Sequence, residues 1–207
     1  MDKHKERRAM PAPAGPPLLP MQWSSAYLSY WSPMREEDQL TSGYCWFDYA
    51  RNICRIDGLF NPWPEKETGH RLWMSEIGDA RQGQSRRQKV AYARETAAAG
   101  STLRETALED ELTPFHALFL PQAILLEGNA LHGGRHTVLG QPVDAWVVQR
   151  PARVPSVFYL QAGGNRLLRM VTGNDPRHLS VRDFPNFCAG AIPDSVFSLE
   201  KSAVRSD

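Results

Sequence analysis

From Trp23 onward apolar and polar residues alternate in short runs, the period-2 signature of strands with one buried face, and turn residues punctuate the runs. The first run is YLSYW at 27–31, closed by Ser32 and Pro33. Residues 43–49 (GYCWFDY) and 53–60 (ICRIDGLF) flank Ala50, Arg51 and Asn52, a short polar tip that predicts a hairpin. Asn61, Pro62, Trp63 and Pro64 must then leave regular sheet, because proline has no N–H to give to a ladder. Residues 70–77 and 88–94 predict two further strands around a loop of Arg, Gln, Ser and Gly. Residues 156–160 and 166–171 flank Ala162, Gly163, Gly164 and Asn165, a second hairpin signal, and 143–149 with 182–187 complete the set.

One stretch breaks the alternation. Thr113 followed by Pro114 reads as an N-cap with proline at the first helical position. Residues 115–127 are apolar enough for one or two helices interrupted at Pro121, and Gly128 would end them. The pattern predicts a mainly β fold, an antiparallel sheet of roughly eight to eleven short strands with a helical insertion packed on one face. The expected organisation is a disordered, Pro-rich leader over residues 1–20 and a single domain over 21–207.

Composition narrows the classes without choosing one. At 42% hydrophobic residues and 20 aromatics in 207, the chain can bury a core. The net charge is +1, and the first eight residues hold four bases and two acids, so residues 9–207 carry no basic excess. That argues against nucleic acid and against attraction to an anionic membrane. Cys45, Cys54 and Cys188 form no disulfide framework and, without an adjacent His or Lys, are expected to be buried packing thiols in a reducing compartment. Prolines follow the charged N-terminus where a signal peptide needs an apolar helix, and no apolar run is long enough to cross a bilayer; the expectation is a soluble cytoplasmic protein.

Several chemistries lack local support. The Walker and dinucleotide glycine patterns, the Gly-x-Ser-x-Gly elbow and Cys-x-x-Cys are all missing. His132 and His136, separated by Gly133, Gly134 and Arg135, have a spacing metals sometimes use, but with no third placed ligand they read as a polar turn. The expectation is no metal and no nucleotide.

Eleven of the 20 aromatics lie between Trp23 and Trp73. Alternation sets Tyr27, Ser29 and Trp31 on one strand face and Leu28 and Tyr30 on the other, so aromatics occupy both faces. Either they simply suit strands, or a concave sheet lines a pocket for a flat apolar ligand. In residues 71–77 the side chains of Leu72, Met74 and Glu76 share a face, which puts a carboxylate at the end of an apolar row. Burial there would suit Glu76 to general acid–base work; the alternative is a strand-end carboxylate in water. Asn61 is either a turn former or a hydrogen-bonding group at a pocket rim. Arg182 is either half of a surface pair with Asp183 or a fork for a ligand carboxylate.

The blocks PLLPMQWSSAYLSYWSPM (17–34), DQLTSGYCWFDY (38–49), ICRIDGLFNPW (53–63) and RLWMSE (71–76) closely resemble the VioE family of violacein biosynthesis enzymes. QKVAY (88–92), PF (114–115), LRMVTG (168–173) and RDFPN (182–186) are further matches, and residues 96–153 match less clearly. The resemblance implies a fold like the periplasmic lipoprotein carriers LolA and LolB: a curved antiparallel sheet forming an incomplete barrel around a helical plug, usually in a homodimer. It implies a cofactor-free enzyme that receives an indole-3-pyruvate imine dimer from the upstream synthase, in transient contact with it. An intramolecular 1,2-shift of one indole then yields protodeoxyviolaceinic acid, the prodeoxyviolacein skeleton, where the unattended intermediate drifts to chromopyrrolic acid. Family site residues fall on Tyr27, Ser29, Phe60, Asn61, Glu76 and Arg182. By the same resemblance Tyr27 and Phe60 sandwich indole rings, and Arg182 with Asn61 and Ser29 grips a carboxylate. Glu76 transfers protons or binds an indole N–H. Two other readings stand beside it, a carrier of acyl chains or lipoproteins and a non-catalytic dimer module. Carriers of that kind need export, and an acyl-chain cavity has little use for Arg182 and Glu76.

Overall fold

The computed structural model describes residues 15–38, 40–60, 72–80, 86–97, 100–111 and 120–198; of 59–60, 72–74, 86–97 and 100–111 it describes the backbone only. Twelve strands are present among these residues. They are β1 Gln22–Ser32, β2 Thr41–Asp48, β3 Ile53–Phe60, β4 Leu72–Asp79, β5 Arg86–Ala97, β6 Gly100–Glu111, β7 Leu131–Val138, β8 Gln141–Val148, β9 Ser156–Gln161, β10 Leu167–Thr172, β11 Leu179–Asp183 and β12 Cys188–Ala189. Among the described residues there are also a one-turn helix, α1 (Ile124–Glu127), and a 3-10 helix (Asp194–Phe197).

The strands form one antiparallel sheet in the order β6-β5-β4-β3-β2-β1-β11-β10-β9-β8-β7, with β12 also on β1. It is two meanders. One runs outward from β1 to β6, the other inward from β7 to β11, and β1 pairs with β11 to join them, Leu28 facing Asp183 and Ser32 facing Leu179. The outer strands β6 and β7 do not pair with each other, so the curved sheet is an incomplete barrel, as expected. Between β11 and β12 the ladder is interrupted at Pro185, and Asn186 closes the gap: its Oδ1 accepts the Ala26 N–H at 2.6 Å and the Ser25 hydroxyl at 3.3 Å. Hairpin tips follow the turn chemistry, with Asn52 at φ 51° and Gly163 at φ 70° in the left-handed region.

The larger core cluster lies on one face of the sheet, and a smaller one of Val138, Val143 and Leu168, with Tyr159 against it, is separate. Alternation along β1 buries Trp23, Ser25 and Tyr27. Register places Phe47 of β2 beside Trp23 and Cys54 of β3 beside Phe47. Trp23 stacks on Phe47 at 4.5 Å and on Phe187 at 4.8 Å, meets Phe184 edge-on at 5.8 Å, and donates its indole N–H to the Tyr49 hydroxyl at 3.2 Å. Ile124 and Leu125 of α1 plug into the same cluster with Trp146 and Phe158. The helix follows Pro121, spans four residues and ends at Gly128, as expected, and a Cβ on that glycine would stand 2.4 Å from Val148 Cγ1. The expected stretch 113–119 lies outside the described residues.

The same core corrects the leader boundary. Leu19 is 1% exposed, and its backbone exchanges hydrogen bonds with Gln122, N–H to the carbonyl at 3.1 Å and carbonyl from the side-chain amide at 2.9 Å. Folded structure therefore begins before residue 20; residues 1–14 lie outside the described part.

Aromatics on the outer face have their own cover. Tyr44 and Trp46 pack together at 4.6 Å, and the Arg55 guanidinium lies over Trp46 at 5.7 Å. Arg55 also donates to the Val196 carbonyl at 2.7 Å, and Arg51 pairs with Asp194 and lies over Phe197 at 4.8 Å, so two arginines strap the 3-10 helix to this face. Among the described residues, the core cluster accounts for Trp23, Tyr27, Phe47 and Tyr49 and the strapped face for Tyr44 and Trp46.

Two further expectations need correction. His132 and His136 sit within β7, separated by a two-residue bulge rather than a turn. His132 lies 3.5 Å from Asp144 and edge-on to Trp146, whereas His136 lies edge-on to Tyr159, so the two imidazoles diverge. Burial works to raise the pKa of Asp144, but the Gly163 N–H and Arg135 outweigh it and hold the carboxyl below its ordinary value. Cys45 and Cys54 are buried, as expected; Cys188 is exposed, at the short strand β12.

Candidate active site

Three of the expected site residues, Tyr27, Ser29 and Arg182, meet where β1 pairs with β11. In the β1–β11 register Ser29 stands directly opposite Arg182. Tyr27, two residues before Ser29, shares its face. The Arg182 guanidinium lies over the Tyr27 ring, 5.5 Å from its centroid. Arg182 is exposed at this inner face while Tyr27 beneath it is 6% exposed. The neighbouring Asp183 points to the other face, where Arg169 donates to it at 2.8 Å and Tyr30 at 3.2 Å. The surface-pair reading of Arg182 and Asp183 therefore falls, and Arg182 has no ion-pair partner among the described residues.

Tyr27 owes its seat to two glycines. The register runs Tyr27, Gly43, Gly58, Met74 across β1 to β4. A Cβ on Gly58 would stand 2.1 Å from the Tyr27 hydroxyl, and one on Gly43 would stand 1.9 Å from the Asp57 carbonyl oxygen. The ring therefore lies in a trough that only glycines leave open. Its hydroxyl has no hydrogen-bond partner among the described residues, and burial pushes the phenol up to about 12 against the opposing charge of Arg182. Gly58→Ala is expected to cost about 1–3 kcal/mol, because the tyrosine must move, and Gly43→Ala more, because it strikes main chain. Urea denaturation of both variants checks the order; a harmless Gly43→Ala would contradict the trough.

Glu76 belongs to the next row on the same face, Ser25, Cys45, Ile56 and Glu76. It is 4% exposed, which removes the alternative of a carboxylate in water. The Cys45 thiol in that row donates to the Ser25 carbonyl at 3.4 Å, and burial pushes it up to about 12, so it stays protonated and packs. Phe60 ends β3 opposite Leu72, on the face shared by Gly58 and Ile56; its side chain lies outside the described part, as does all of Asn61.

Sequence reading missed the other half of this surface. From Arg182 the register continues through Met170, Phe158 and Trp146 on β10, β9 and β8. Phe158 and Trp146 are 2% and 3% exposed and pack in the core cluster. Alternation within the predicted strands carried that signal, but the pairing of β1 with β11, which joins the rows, has no local signature.

The arrangement offers a guanidinium without an anionic partner among the described residues, a flat phenol ring beneath it, a hydroxyl opposite and a buried carboxylate on the same face. Such a surface suits a flat, apolar molecule bearing a carboxylate. Among the described residues no cluster of three or more His, Cys, Asp or Glu could hold a metal ion.

A family model described as violacein biosynthetic enzyme VioE matches residues 16–197. No curated protein matches the chain. Among solved structures, the chain is similar to an uncharacterized conserved protein from Thermus thermophilus, at 9% identity and a TM-score of 0.50, with 89% of each chain covered. It is also similar to a structure of the Pseudomonas aeruginosa MucA/MucB complex, at 14% identity and a TM-score of 0.46, covering 86% of this chain and 55% of that one. The first likeness supports the fold alone.

Proposed function

The chain belongs to the VioE family of violacein biosynthetic enzymes, and on that premise we propose that it converts the indole-3-pyruvate imine dimer to protodeoxyviolaceinic acid. One indole leaves its carbon and joins the neighbouring carbon of the same molecule, and no metal or organic cofactor takes part. The observation that carries the reading is the unpaired Arg182 over Tyr27 with Ser29 opposite it across the β1–β11 seam.

Arg182 holds a substrate carboxylate by charge-assisted hydrogen bonds, with Ser29 and Asn61 beside it. Tyr27 and Phe60 present flat faces to the indoles. Glu76, in the buried row below, serves the proton movements that accompany the shift or accepts an indole N–H. Catalysis here consists chiefly of holding one conformation of an intermediate that otherwise takes another course. The working form in this reading is a cytoplasmic homodimer supplied by the upstream synthase. Among the described residues no helix is long and apolar enough to cross a membrane.

The test is reconstitution. Tryptophan, the tryptophan oxidase and the imine-dimer synthase are combined with and without this protein, and products are separated by chromatography. Prodeoxyviolacein is expected to replace chromopyrrolic acid; an unchanged product would end the enzyme reading.

A further inference from the structure

We infer that Trp31 is a further substrate-contacting residue, an aromatic platform at the rim of the concave face that takes one of the two indole rings and is locked by His178 and Asp38. The inference rests on the function proposed above. Trp31 shares a face with Tyr27 and Ser29 by strand alternation and stands opposite Ser180 of β11. The next register pair on that face is Ser29 with Arg182, about 7 Å along the strand.

The side chain is 37% exposed, yet it is not free to turn. The imidazole of His178 stacks on it at 4.4 Å with the planes 12° apart. His178 Nε2 lies 2.9 and 3.0 Å from the two carboxylate oxygens of Asp38. The Asp38 side chain, itself 5% exposed, accepts the Arg35 N–H at 2.7 Å. Three segments thus converge on one indole: the end of β1, its connection to β2, and the connection from β10 to β11. With the imidazole over one face, the exposure of Trp31 belongs to its remaining surface.

An aromatic ring held rigid but left open has already lost the freedom that binding would take from it, which marks a platform rather than packing. Met34 and Leu40, on the same connection, are exposed apolar side chains as well. A flat apolar surface a short step from an unpaired guanidinium fits a molecule whose aromatic ring is joined to a carboxylate. The imine dimer carries two such units, and Tyr27 and Trp31 would each serve one ring. His178 acts through Trp31 and is a positioning residue.

Trp31→Ala, Trp31→Phe and His178→Ala are compared with the unaltered protein in two measurements: the ratio of prodeoxyviolacein to chromopyrrolic acid in the reconstituted system, and the Kd for chromopyrrolic acid, a stable bisindole dicarboxylate, by calorimetry. Trp31→Ala is expected to shift products toward chromopyrrolic acid and to raise the Kd about 2- to 12-fold, the range of one aromatic pair. Trp31→Phe should recover most of both, and His178→Ala should move both in the direction of Trp31→Ala but less far. If the unaltered protein makes prodeoxyviolacein and Trp31→Ala keeps its product ratio and Kd, the platform is refuted while the function stands. If the unaltered protein makes none, the function fails, and the Kd series alone decides whether Trp31 binds a bisindole.

Discussion

Arg182→Ala is expected to lower kcat/KM for the conversion about 10- to 150-fold, the loss of one charge-assisted interaction with a carboxylate, about 1.5–3 kcal/mol. The protein should remain folded. Arg182 is exposed and has no ion-pair partner among the described residues, so its removal leaves no buried carboxylate stranded. What the fold loses is a guanidinium over the Tyr27 ring, a contact worth about 0.5–1 kcal/mol where solvent reaches it. Arg182→Lys should recover only part of the activity, because an ammonium supplies a point charge in place of a planar fork. Steady-state rates with the upstream enzymes in excess, read beside melting curves, check both statements. Full activity in Arg182→Ala would take this residue out of the site.

Trp23→Ala should show the opposite behaviour, a large loss of stability with no chemistry attached to it. Trp23 is fully buried and touches Phe47, Phe184 and Phe187. Truncating such a side chain costs about 3–5 kcal/mol, since the lost transfer energy is joined by a cavity that stacked rings cannot collapse to fill. The Tyr49 hydroxyl also loses the indole N–H as a donor inside the core. For a chain of this size the melting temperature should fall by about 6–20 °C. A drop of less than about 1 kcal/mol by urea denaturation would place Trp23 outside the central cluster.

The strands that alternation reveals and those it hides differ in where they lie. Residues 53–60 are β3 to the residue, and GYCWFDY sits inside β2 but for its last residue, because both are interior strands with one face in the core. Apart from the two-residue β12, the strands that sequence reading missed are β6 and β7, the two ends of the sheet's main path. GSTLRETALEDE is rich in acids and hydroxyls, and LHGGRHTV carries a bulge at its glycines. Charges and bulges keep an edge from pairing with another chain, and the same devices erase the apolar rhythm by which a strand is recognised. At the site, parity alone put Glu76 on the face of Met74, and its burial agrees with that place. Sequence could not decide between the two readings of Arg182, because the answer depends on which way β11 faces once it pairs with β1. The lock on Trp31 was equally illegible, since Asp38 and His178 lie 140 residues apart.

Tyr30 and Asp183, joined by a hydrogen bond across the seam between the two meanders, are 153 residues apart in the chain. Every other pair of neighbouring strands along the main path of the sheet is consecutive in the chain. On a ribosome, β1 is therefore synthesised early, pairs with β2, and leaves its other edge open until β11 emerges. Closing so long a loop carries the largest entropic cost of any pairing along that path. Ser29 and Arg182 meet only when that seam shuts. Most of the ladder can therefore form from neighbouring strands before the proposed site is brought together.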